Sequence, residues 1–226
     1  MASSNALPTP RITSHSKPIL WTLMALAALS VLVITEFPIL HDRTGVNHTY
    51  LLTLIHDRLL FIPHALFGTL ALLIGPVQFS SRIRRRHLQF HRILGRVYAI
   101  SVFIAAPCAI VISAHWHPTL AVATSVQGGA WFLCTAMAVL LARNGHIPQH
   151  RQWMIRSYAV TFLFIMLRVP NFWPPFFNIS DANFTLVDLI AVLLCFILPD
   201  IAFNFRDLTH PRTNPHPLPP KAPSPI

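Results

Sequence analysis

Acidic side chains are scarce: Asp and Glu number 7 in 226 residues, and charged residues of both signs make up only 11%. Soluble globular chains carry roughly 25% charged residues. A chain this poor in charge cannot coat its surface against water, so a soluble fold is excluded and lipid becomes the expected solvent. Cysteine is also sparse. Cys108, Cys134 and Cys195 each sit inside an apolar run and form no CxxC pair, which argues against a zinc site or a disulfide framework and leaves them as small packing residues. GxSxG, HExxH and paired carboxylates within an apolar run are missing, so no familiar hydrolase chemistry is indicated. There is no repeat of solenoid length.

What the chain has is apolar length, with 54% hydrophobic residues and a mean hydropathy of +0.55. Six windows, near 18–40, 59–79, 93–114, 119–142, 153–170 and 184–205, approach the ~20 helical residues that cross a hydrocarbon core of ~30 Å. The expected architecture is all-α: an integral membrane bundle of about six transmembrane helices, with segment 1–17 before it and 206–226 after it. The first window has no small-x-small cleavage site behind it, so it reads as a retained helix rather than a signal peptide. The stretch PRTNPHPLPPKAPSPI holds seven prolines in sixteen residues and is expected to be an extended, disordered tail.

Lys and Arg number 17, for a formal net charge of +10. With the N-terminus placed inside, fourteen of the seventeen fall on the inner side and only Arg43, Arg58 and Arg168 on the outer. That asymmetry obeys the positive-inside rule and predicts cytoplasmic termini, in a plasma membrane or an endomembrane. Three glycosylation sequons, at Asn47, Asn178 and Asn183, all fall in the outer loops this orientation requires. The basic run RIRRRHLQFHR (82–92) leads into an apolar span, without an aromatic platform or a zinc pattern. Nucleic acid is therefore not an expected partner. Most of these arginines set orientation and meet the phosphates of the lipid bilayer.

Orientation alone requires no histidine, yet two inner loops repeat one. The first reads His91-Arg92-x-x-Gly95-Arg96-Val97-Tyr98, and the second runs from His150-Arg151 through Trp153 to Arg156-Ser157-Tyr158. Helix starts flanked by arginines suit an anion. On helical spacing His91, Gly95, Tyr98 and Val102 share a face, as do His150, Met154, Ser157 and Thr161. In the second window His64, Gly68, Ala71 and Gly75 align, small residues that admit a neighbouring helix or a flat cofactor. His64 is an ionisable group within a span and so a functional candidate.

Two chemistries fit this pattern. One is haem b and transmembrane electron transfer, with His91 and His150 as iron ligands and the adjacent arginines for the propionates. His64 with His115 or His117 would make a second, outer pair. The alternative is binding or transport of an anionic or lipid-like small molecule without redox chemistry. The arginine loops would then hold a phosphate or carboxylate, and the aromatic stretch 168–180 would form an outer collar. Asp188 and Asp200 are the clear carboxylate candidates in the spans, too few for a usual proton relay.

His64-x-x-x-Gly68 followed by GPVQF (75–79), HRILGRVY (91–98), and HRQWMIRSYA (150–159) with Arg168 behind it resemble the uncharacterised multi-pass membrane proteins grouped as domain of unknown function 2306. The resemblance covers roughly residues 60–170 and leaves out the first window, the aromatic loop and the tail. It implies a helical membrane domain in which His64, Gln78, His91, Arg92, Arg96, His150, Arg151, Trp153 and Arg156 are the positions of interest. It brings no established activity.

Overall fold

The computed structural model describes residues 58–116, 118–168 and 180–209, together with Thr22, Leu26 and Leu29 of the first window. From residue 58 onward the described chain forms six helices: α1 (Arg58–Phe79), α2 (Ser81–Arg86), α3 (Leu88–Trp116), α4 (Pro118–Arg143), α5 (Ile147–Arg168) and α6 (Asp181–Thr209). No strand occurs among the described residues, so the all-α expectation holds. In lipid this follows from the backbone, because a helix satisfies its own N–H and C=O groups without water.

Four of these helices are long and apolar enough to cross a membrane, over Arg58–Phe79, Leu88–His115, Thr119–Arg143 and Ala182–Phe205. The remaining two windows differ. The first lies outside the described residues apart from three helical positions. The fifth is the 22-residue helix α5, whose opening turns carry Gln149, His150, Arg151, Gln152 and Arg156 and keep it out of that set. Its place in the bundle accounts for its polarity. Packed against α1, α4 and α6, it buries Ser157, Tyr158, Val160, Thr161, Leu163 and Ile165. Protein rather than lipid surrounds it, so its polar side chains can find partners.

Four helices close a ring in which α1 packs on α3, α3 on α4, α4 on α5 and α5 on α1, with α6 outside on α4 and α5. Short connections make successive helices antiparallel. Ser80, whose Oγ accepts from the Ile83 N–H, caps α2 between α1 and α3. Gly145, at φ +77°, shapes the turn between α4 and α5, a left-handed position that favours glycine. The Thr185 hydroxyl donates to the Thr119 carbonyl and ties the start of α6 to the start of α4.

Tyr98, Val102, Ala105, Ala106, Trp131, Tyr158 and Val160 form the core of the ring. Gly75 of α1 lies under the ring of Tyr158, where a Cβ would come within 1.9 Å of the aromatic carbons. Outward, α6 exposes Leu186, Ile190, Leu193, Ile197 and Leu198. On a soluble protein such a face would mark an interface; on a membrane helix it faces lipid tails.

Candidate functional site

The two matching loops use one structural device. Gln78, buried at the end of α1, places its amide nitrogen 2.8 Å from His91 Nδ1 and 3.2 Å from the His91 carbonyl, while its oxygen accepts from the Gly95 N–H at 3.2 Å. This amide orientation is assigned from the hydrogen-bond network. An imidazole that accepts at Nδ1 and is neutral carries its proton on Nε2. In the second loop His150 Nδ1 lies 2.8 Å from the Ala138 carbonyl, which only accepts, so Nδ1 carries the proton there. His91 thus ties the start of α3 to the end of α1, and His150 ties the start of α5 to α4.

The loops also meet electrostatically. His91 lies within reach of the charges of Arg84, His150 and Arg92. Burial holds the Arg84 guanidinium below its ordinary pKa, helped by Arg151 and Arg85 nearby. Among the described residues no carboxylate pairs with Arg84, Arg92, Arg96 or Arg151; the ion pair there is Arg156–Asp200. Among the described residues the α2 end is thus a basic face without a carboxylate partner, a chemistry that suits anions. Arg84, one of the arginines expected only to set orientation, joins the cluster through its closeness to His91 and Arg151.

Arg156 does not join it. Its guanidinium turns to α6, pairs with Asp200, and sits 5.0 Å from the Trp153 ring centroid and 5.8 Å from that of Phe203. Tyr98 is likewise withdrawn from the loops. Fully buried, its hydroxyl lies 2.9 Å from Ser157 Oγ and 2.8 Å from Thr161 Oγ1. Ser157 Oγ is 2.7 Å from Thr135 Oγ1. Thr135 donates to the Trp131 carbonyl, and Thr161 to the Ser157 carbonyl. These are five contacts served by four hydroxyl protons, so one contact always lacks a proton. The Trp131 indole N–H also lies against this cluster, beside the Tyr98 hydroxyl. Helical spacing had put Ser157 and Thr161 on the His150 face; nothing in the sequence singled out Thr135.

Beyond Thr161 and Trp131, away from α2, a cavity of about 80 Å³ opens inside the ring. That is room for on the order of five waters or a small ring compound. His64 and Gly68 of α1, Gln127 and Gly128 of α4, and Phe164 of α5 line it. His64 Nδ1 donates to the Ala105 carbonyl at 2.9 Å, and its ring stands edge-on to Phe164. Among the described residues, no Asp, Glu, Lys or Arg lines the cavity. His64 is thus kept apart from His91 and His150 by the Tyr98 cluster.

Of the other expected positions, His115 is exposed at the end of α3 and is not among the lining residues. His117, Asn47, Asn178 and most of the aromatic stretch 168–180 lie outside the described residues. Asn183 is exposed in the first turn of α6, its N–H bonded to Ser180 Oγ. No group of three or more metal-ligating side chains occurs among the described residues.

Apolar helices with lipid-facing leucines and polar groups turned inward define an integral membrane protein. Residues 61–204 match the family described as "Predicted membrane protein (DUF2306)", and the chain belongs to that family. The match runs past residue 170 and takes in the aromatic stretch and most of α6, both of which the sequence motifs alone left outside. No curated protein and no solved structure matches the chain.

Proposed function

We propose that this protein binds a lipid-like small molecule within the ring of α1, α3, α4 and α5. The observation that carries the reading is the cavity at His64 and Gly68. Bundle cores are where helical proteins build ligand sites, and a polar group fixed inside an apolar pocket gives a ligand its orientation. The arginine cluster at the α2 end belongs to a separate surface, because the Tyr98–Ser157–Thr161 contacts fill the axis between them. Native mass spectrometry from mild detergent tests the proposal. A co-purifying lipid-like mass is expected on the wild type and is expected to be lost on Gly68→Leu, which fills the cavity. Retention of the same mass by that variant would sink the reading.

Haem b remains a second reading, favoured by one observation. His64 and His150 each direct Nδ1 to a backbone carbonyl, the arrangement by which a protein orients an imidazole whose other nitrogen binds a metal. His91 fits less well, since Gln78 donates to its Nδ1 and iron ligation through Nε2 requires the other tautomer. When bound, haem supplies one-electron chemistry. A visible spectrum of protein expressed with ample haem decides: a Soret band lost on His150→Ala supports this reading, and a featureless spectrum removes it.

A further inference from the structure

Resting on the cavity reading above, we infer that the ligand is of the quinone class: a neutral, flat ring bearing oxygen substituents on an apolar tail. Charge is the first argument. Among the described lining residues there is no Asp, Glu, Lys or Arg, and His64 is the one titratable group. A carboxylate, phosphate or ammonium there would be buried with no fixed counter-charge, which is strongly unfavourable. The ligand is neutral.

Shape is the second. A Cβ added to Gly68 would meet nothing within 4 Å, so the α1 backbone faces open space with no side chain in the way. Phe61, Phe164 and Trp131 stand around that space and supply aromatic faces and edges. A flat ring covers the glycine backbone and stacks on these groups, where a branched or bulky body would collide with them.

Polarity is the third. The Gln127 amide and the Thr69 and Thr124 hydroxyls line the cavity, and none makes a hydrogen bond to another described residue. All three donate, and a purely hydrocarbon ligand would leave them unpaired at a free-energy cost. Ring carbonyl oxygens accept from them and add no charge. The site lies within apolar helices, so a ligand delivered from the bilayer interior meets it directly.

The test measures the thermal midpoint of the full chain in lipid nanodiscs holding an equal mole fraction of decylubiquinone, phenyldecane or decanoate. Decylubiquinone is expected to raise Tm by about 4 °C or more, as for a ligand well above its Kd, and the other two by less than about a quarter of that. Gly68→Leu is expected to abolish the quinone shift. Gln127→Leu is expected to lower it while leaving the phenyldecane value unchanged, and serves alone if the leucine at 68 prevents folding. Equal shifts from all three probes, removed by Gly68→Leu, would overturn the quinone class and leave the cavity reading standing. Shifts that survive Gly68→Leu, or no shift from any probe, would overturn both. A quinone shift indifferent to Gln127→Leu overturns the hydrogen-bonded ring.

Discussion

The hydroxyl of Tyr158 on α5 donates to the carbonyl of Leu72 on α1, at 3.2 Å. Leu72 stands four residues before Pro76, which has no N–H to give, so the helix itself leaves this carbonyl without its usual donor. A side chain from a helix distant in sequence replaces the missing bond. The proline, the tyrosine and the glycine between them act as one joint.

This joint predicts a coupled pair of mutations. Tyr158→Phe leaves the Leu72 carbonyl buried and unpaired and should cost about 1–3 kcal/mol. In a Pro76→Ala background, where residue 76 supplies an N–H, the same change should cost clearly less. Unfolding free energies of the four proteins in detergent form the cycle that checks this. Equal costs in both backgrounds would show that the hydroxyl does not stand in for the lost donor.

Glycines of α1 should differ sharply in tolerance. Gly75→Ala drives a methyl into the Tyr158 ring and should destabilise by about 1–3 kcal/mol, as overpacking does. Gly68→Ala meets open space and should gain helix propensity, of order 0.5–1 kcal/mol. Thermal midpoints of the two variants should move in opposite directions.

Ser157 is the hub of the buried hydroxyl cluster, touching both Tyr98 and Thr135. Ser157→Ala takes a side-chain partner from two hydroxyls, whereas Thr135→Val takes one only from Ser157, because the Trp131 carbonyl keeps its helical N–H; the serine change should therefore cost more. Each lost hydrogen bond is worth about 1 kcal/mol. Chemical denaturation of both variants tests the order; a larger loss for Thr135→Val would assign the hub elsewhere.

At Arg156 the rings of Trp153 and Phe203 matter as well as the carboxylate. Asp200 is half exposed, so Asp200→Asn should cost under about 1 kcal/mol. Arg156→Lys keeps the charge but loses the planar stack on two aromatic rings, and should cost at least as much. Comparing the two thermal midpoints separates charge pairing from stacking.

Orientation carries its own test. If the sequence count that assigns fourteen of the seventeen Lys and Arg to the inner side holds, reporters fused before Met1 and after Ile226 should both register as cytoplasmic. A glycosylated reporter at either end would contradict the charge count.

Much of this protein was legible in its residues one segment at a time. The shortage of charge names lipid as the solvent, and lipid demands helices of a length that the apolar windows supply; α1, α3, α4 and α6 fall on four of those windows, with α3 and α6 running beyond them at both ends. The likeness of the His91 and His150 loops has a structural counterpart, since His91 anchors the start of α3 to α1 and His150 the start of α5 to α4. Helical spacing put Ser157 and Thr161 on one face because periodicity is local.

Which side chains then meet is a different matter. Tyr98 finds Ser157 59 residues away, His64 finds the Ala105 carbonyl 41 residues away, and Arg156 leaves the loops for Asp200. Those pairings depend on how each helix is rotated and which neighbour it faces, and no window of sequence holds that information. The polarity of α5 is the clearest case. Judged alone it is too polar to join the four apolar spans, and only the surrounding helices show that its solvent is protein. The cavity at Gly68 likewise exists only once four helices close around a missing side chain. Composition and periodicity, being properties of single segments, determined the solvent, the helices and their apolar faces; the tertiary structure decided the partners and the empty space, because both arise between segments.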